Sequence, residues 1–174
     1  MIGIGYCQII APEVPYQENI ANHKIGLEYY KEFLNVVPSV ALINEMAFSN
    51  SVVDVLSETG YRGFVMDRSN VQLAIGKERN LRRTKNVYAK GNQSTSLPVI
   101  WADTLLFQKL QHVSHGDISI SDYLDYIEYR MKSDELPLSL YCNDAETFDF
   151  RPGRFTGERK INPKGEWHVM AEVM

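Results

Sequence analysis

The chain has 174 residues, 44% apolar and 23% charged, which is the balance of an ordinary globular domain long enough to bury a core. A net charge of −4 supplies no electrostatic footprint for nucleic acid or an anionic membrane surface, and no run nears the ~20 apolar residues of a membrane helix. Cys7 and Cys142 form neither a metal-ligand spacing nor a disulfide framework, and the N-terminus lacks the regions of a signal peptide, so a cytoplasmic setting is expected.

Ile2 to Ile10 reads as a first strand, with Gly3 and Gly5 permitting close backbone approach. Pro12 and Pro15 then make an extended turn. From Tyr16 to about Leu34, Ile20, Leu27, Tyr30 and Leu34 recur at the spacing of one helix face. Pro38 closes that segment, and Val40 to Ile43 is a short buried strand ending at Asn44-Glu45. Ser49 or Asn50 caps a second helix whose inner face carries Val52, Val53 and Leu56, and Gly60 supplies its left-handed C-terminal residue. The next apolar strand, Phe64-Val65-Met66, ends on Asp67.

In the middle, Val71 to Ala74, Asn86 to Ala89 and Leu97 to Trp101 read as extended. Asp103 caps a helix through about Gln111, and Ser119 or Ser121 opens another with Ile120, Leu124, Ile127 and Met131 on one side. After Pro137, the apolar run Leu138 to Cys142 delivers Asp144. Arg151 to Lys164 reads as a long loop, and Gly165 to Met174 as a final short helix.

Strands alternating with helices imply βα units and a mostly parallel sheet, whose active sites gather at the carboxyl ends of the strands. Glu45, Asp67, Asp103 and Asp144 all follow apolar strand-like runs. Two carboxylates brought to one mouth are the arrangement of a glycosidase, which needs a protonated carboxyl at the leaving oxygen and a carboxylate at the anomeric carbon. Glu45 is a nucleophile candidate, with a helix-start cap or salt bridge as its ordinary alternative. Asp144 and Glu146 alternate on an extended segment flanked by Tyr141, Phe148 and Phe150, where desolvation raises a carboxyl pKa; a polar turn is the alternative.

Read together, these clusters carry a resemblance. Asn44-Glu45-Met46-Ala47-Phe48-Ser49, the helix ending Glu58-Thr59-Gly60-Tyr61, and Val65-Met66-Asp67 resemble the nucleophile region of glycoside hydrolase family 57. Pro12 to Pro15 and the helix containing His23 resemble the segment before it, and Val99 to Leu106 resembles an intervening strand with an Asp before a helix. Asp144-Ala145-Glu146-Thr147-Phe148 is similar to the family's acid/base motif, although Asp149 stands where the family usually has Gly. The resemblance implies an α/β fold of the (β/α)7-type barrel of the glycoside hydrolase/deacetylase superfamily. It also implies a retaining enzyme of α-glucans with Glu45 as nucleophile and Asp144 as acid/base. Asp67, Trp101, Asp103, Glu146 and Phe148 would then serve the substrate. Nothing matches the family's His-Gln-Pro strand, so residues 1–174 are expected to form one catalytic-type domain, either a partial barrel without the first strand and the C-terminal helical region or a fragment of a longer chain.

The expected partner is an oligo- or polysaccharide, with no nucleic acid, no membrane, no cofactor and no metal. The basic stretch Lys77 to Lys90 reads as a solvated loop. An exposed barrel edge predicts self-association or a complementary segment. Two other functions are open: a non-catalytic carbohydrate-binding or assembly module, and a metal-dependent polysaccharide deacetylase, for which His112 and His115 are the ligand candidates. No nucleophile triad or phosphate loop is present.

Overall fold

The computed structural model describes residues 1–68, 87–134 and 163–173. They gather into two compact units, residues 1–68 with 87–102, and residues 103–134 with 163–173. The expected strands at 71–74 and 138–142 and nearly all of the loop at 151–164 lie outside the described residues, as do most of the basic stretch and Asp144, Glu146 and Phe148.

The first unit is an α/β layer. Its five strands are β1 (Ile2–Gly3), β2 (Val40–Leu42), β3 (Gly63–Asp67), β4 (Tyr88–Lys90) and β5 (Ser96–Ala102). They lie in the order β1-β2-β3-β5-β4. The first four of that order run parallel, while β4 pairs antiparallel with β5. Every residue of β3 is buried, as a central strand covered on both faces requires, and its sequence is correspondingly apolar up to Asp67. Helix α1 (Tyr16–Leu34) has the expected bounds, but its buried residues are Asn19, Ile20, His23 and Gly26 and the predicted Leu34 is 55% exposed. Helix α2 (Asn50–Glu58) buries Val52, Val53 and Leu56, and Gly60 after it takes φ +96°. Ser49 stands at its N-cap without a side-chain capping bond; its hydroxyl pairs with that of Ser51 at 2.8 Å instead. The core joins Ala41 and Ile43 after β2, Phe64 and Met66 of β3, Leu97 of β5, and the buried face of α2.

The first strand is shorter than Ile2 to Ile10, for a definite reason. From Ile4 onward the backbone donors turn to α1: Ile4 N–H donates to the Tyr30 hydroxyl, Tyr6 N–H to Asn22 O, and Cys7 N–H to Asn22 Oδ1. Asn22 Nδ2 returns a bond to Cys7 O, closing a two-way clasp. Gly26 makes this approach possible, since a Cβ there would stand 2.8 Å from Ile4 O.

A second clasp ties α2 to the β4–β5 turn. Asp54, 2% exposed, accepts from the N–H groups of Asn92 and Gln93 at 2.8 and 3.2 Å and from the Thr95 hydroxyl. Burial pushes its carboxyl pKa up, but these hydrogen bonds together outweigh that and leave it below the ordinary value.

The second unit packs α3 (Thr104–His115), α4 (Ile120–Asp134) and α5 (Glu166–Val173) around Leu110, Val113, Tyr123 and Met170. Ser119 opens α4 as expected, exchanging bonds with Asp122: its hydroxyl donates to Oδ2 at 2.6 Å and accepts from the Asp122 N–H. The inner face of α4 is Ile120, Tyr123 and Ile127 rather than the predicted row, because Leu124 and Met131 are 46% and 48% exposed. Tyr123 displaces them by filling the core position with a larger ring. Among the described residues, no helix is long and apolar enough to cross a membrane.

Candidate active site

Strand β2 delivers Glu45. After Leu42, the side chain of Ile43 is 4% exposed and anchors the chain in the core. The backbone then closes a short 3-10 turn over Asn44–Met46, with Met46 N–H donating to Ile43 O at 3.1 Å and Ala47 N–H to Asn44 O at 3.2 Å. Inside it, Glu45 and Met46 hold φ of 53° and 50°, the left-handed region that costs an ordinary L-residue about 1–2 kcal/mol. On the far side Phe48 stacks on buried Phe64, ring centroids 6.1 Å apart. Ile43 thus anchors one end of the turn in the core and Phe48, itself 38% exposed, rests on Phe64 at the other, while the middle is strained and the Glu45 side chain is exposed. Strain held by a rigid frame at the carboxyl end of a parallel strand is characteristic of a functional position.

The same edge receives Asp67, the last residue of β3, which is 7% exposed and lies in register with Ala102. Trp101 of β5 sits opposite Met66, half-buried against the core, so much of its ring is committed to packing. Parallel pairing of β2, β3 and β5 thus brings Glu45, Asp67 and Trp101 to one edge. Asp103 has a different employment: Oδ1 accepts from the N–H groups of Leu105 and Leu106 at 3.0 and 3.2 Å, and Oδ2 accepts from Arg130 Nη2 at 3.0 Å. Both oxygens serve the start of α3 and its tie to α4.

His23 is the site-adjacent residue that pattern reading did not single out as functional. It lines a cavity beside the strand ends with Gly5, Ile9, Asn22, Ile43 and Asn44. Burial alone lowers its pKa to about 4, so the ring is neutral near pH 7. The available signal was positional: His23 stands three residues after Ile20 and four before Leu27, a polar group on the apolar stripe of α1.

The other histidines are engaged locally. His112 Nδ1 lies 2.9 Å from Asp117 Oδ2, and His115 Nε2 lies 3.5 Å from Glu166 Oε1. Among the described residues, no group of three or more His, Cys, Asp or Glu side chains is placed to hold a metal ion.

Comparison with known proteins adds two findings. The profile of glycosyl hydrolase family 57 matches residues 1–160. The crystal structure of a 4-alpha-glucanotransferase from Thermococcus litoralis superposes on 99% of this chain with a TM-score of 0.74 at 16% sequence identity, which shows a shared fold. The chain spans 25% of the length of that protein. No curated protein sequence matches.

Proposed function

The chain belongs to glycosyl hydrolase family 57, and from that premise we propose that it cleaves or transfers α-glucosidic bonds of an oligo- or polysaccharide by double displacement. Glu45 attacks the anomeric carbon, while Asp144 gives its proton to the departing glycosidic oxygen. Asp144 then takes a proton from the incoming water or sugar hydroxyl, which displaces Glu45 from the glycosyl intermediate. Retention places the two carboxyl groups ~5–5.5 Å apart. Asp67 and Glu146 bind sugar hydroxyls, and Trp101 and Phe148 offer ring faces to the sugar. Asp103 contributes by holding the chain that leaves β5.

The left-handed turn at Glu45 is the observation that carries this reading. The test is turnover of maltooligosaccharides by Glu45→Gln and Asp144→Asn. Each substitution is expected to lower kcat roughly 10³-fold or more; full activity in both variants sinks the assignment.

A second reading is a carbohydrate-binding or assembly module without turnover, for which the exposed rings of Tyr6, Tyr29 and Phe33 offer a surface. Calorimetry with the same oligosaccharides separates the two, since a module binds equally well after Glu45→Gln and releases no product. Either role fits a cytoplasmic protein. The aromatic run of Tyr6, Tyr29 and Phe33, ring centroids 4.9 and 5.4 Å apart and all exposed, supports self-association or the docking of a complementary segment.

A further inference from the structure

Three buried polar atoms of the first unit have no hydrogen-bond partner among the described residues: Asn19 Oδ1, His23 Nδ1 and the Tyr61 hydroxyl. Their residues are 2%, 6% and 3% exposed. Asn19 and His23 stand one turn apart on α1, and the Tyr61 ring meets the His23 ring edge-on with centroids 5.5 Å apart. Buried polar atoms rarely go without a protein or water partner. The cavity beside His23 leaves about 10 Å³ for the centre of a water, which is room for a single molecule. Its wall is polar at His23, Asn22 and Asn44 and apolar elsewhere. The imidazole that lacks a partner at Nδ1 shares this lining with the amides of Asn22 and Asn44, and the Asn22 amide is already held in the clasp with Cys7.

We infer that this cavity holds ordered water bonded to His23 Nδ1 and Asn44, that the water braces the Glu45–Met46 turn through Asn44, and that His23 is a positioning residue for Glu45. Asn44 begins the turn, and its carbonyl already closes it by accepting from Ala47 N–H. A water fixed between α1 and Asn44 therefore resists relaxation of the left-handed pair toward ordinary backbone angles. The catalytic consequence rests on Glu45 being the nucleophile; the hydrated site does not.

The experiment is a high-resolution crystal structure of the protein and of His23→Leu and His23→Asn, with amide exchange and kinetics on all three. Asn keeps a polar atom near the Nδ1 position, whereas Leu removes it. The expected result is density within ~3.2 Å of Nδ1 in the parent. His23→Leu should lose that density, exchange the Met46 and Ala47 amides on the order of 10-fold faster, and lower kcat similarly with KM unchanged. His23→Asn should restore all three. A dry cavity in the parent overturns the inference, as does unchanged exchange at Met46 and Ala47 in His23→Leu. Should His23→Leu fail to fold, parent density together with water retained in His23→Asn decides the matter. Full activity of Glu45→Gln would remove the nucleophile role while leaving a hydrated cavity standing.

Discussion

Glu45 and Met46 hold consecutive left-handed conformations that neither side chain favours, so the frame around them must supply the energy. Glycine carries no such penalty and loses only part of the gain to its greater freedom when unfolded. Glu45→Gly should therefore stabilise the fold by about 1 kcal/mol while abolishing turnover; a urea titration showing equal or lower stability would remove strain from the account. His23 gives a pH prediction. Its folded pKa of about 4 lies below the ordinary 6.5, so between these values the unfolded chain binds a proton that the folded chain excludes. Stability is full above pH 6.5 and falls as pH drops toward 4, by roughly 3 kcal/mol. His23→Asn should flatten that slope in denaturation curves taken across the window. The acidic character of Glu45 at a strand end was legible in the sequence. Its strain was not, because left-handed angles at Glu45 and Met46 leave no mark in residue types that ordinarily avoid them.

At the level of elements, helices were more legible than strands. Periodicity located α1 and α2 because their buried faces repeat within a few residues. Strand β1 was overextended because its hydrogen bonds are decided by Asn22 and Tyr30, far along the chain. Asp103 was legible as a cap, but its second bond, to Arg130, depends on how α4 packs. Asp103→Ala removes the cap and leaves the half-buried guanidinium without this carboxylate, so it should cost about 2–3 kcal/mol in the denaturant midpoint. Asp103→Asn retains an acceptor for Leu105 and Leu106 and should recover part of that loss. Asp54 makes a sharper case, since nothing in its sequence position predicts a clasp on a turn nearly forty residues later. Asp54→Ala should accelerate amide exchange at Asn92 and Gln93 selectively, while the amides of β3 stay protected; uniform acceleration would mean that the clasp stabilises the whole unit instead.

At the scale of the molecule, alternation of strand and helix was sufficient to anticipate a parallel sheet with carboxylates along one edge. The antiparallel edge strand β4 and the strand order required the structure. Asp144, Glu146 and Phe148 lie outside the described residues, and their roles stand on the family motif. The clasp between Asn22 and Cys7 has a consequence for the chain's solubility. Residues 1–12 carry no charged side chain and combine Ile2, Ile4, Tyr6, Ile9 and Ile10, a composition that stacks readily into fibrils. By absorbing the amides of Ile4, Tyr6 and Cys7, α1 removes the donors that an incoming chain would need to template on this segment. Asn22→Ala should then shorten the lag before thioflavin-positive assembly at a temperature where the parent stays clear, and an unchanged lag would deny α1 this guarding role. The helix that shapes the cavity beside Glu45 would thus also be the chaperone of its own leading strand.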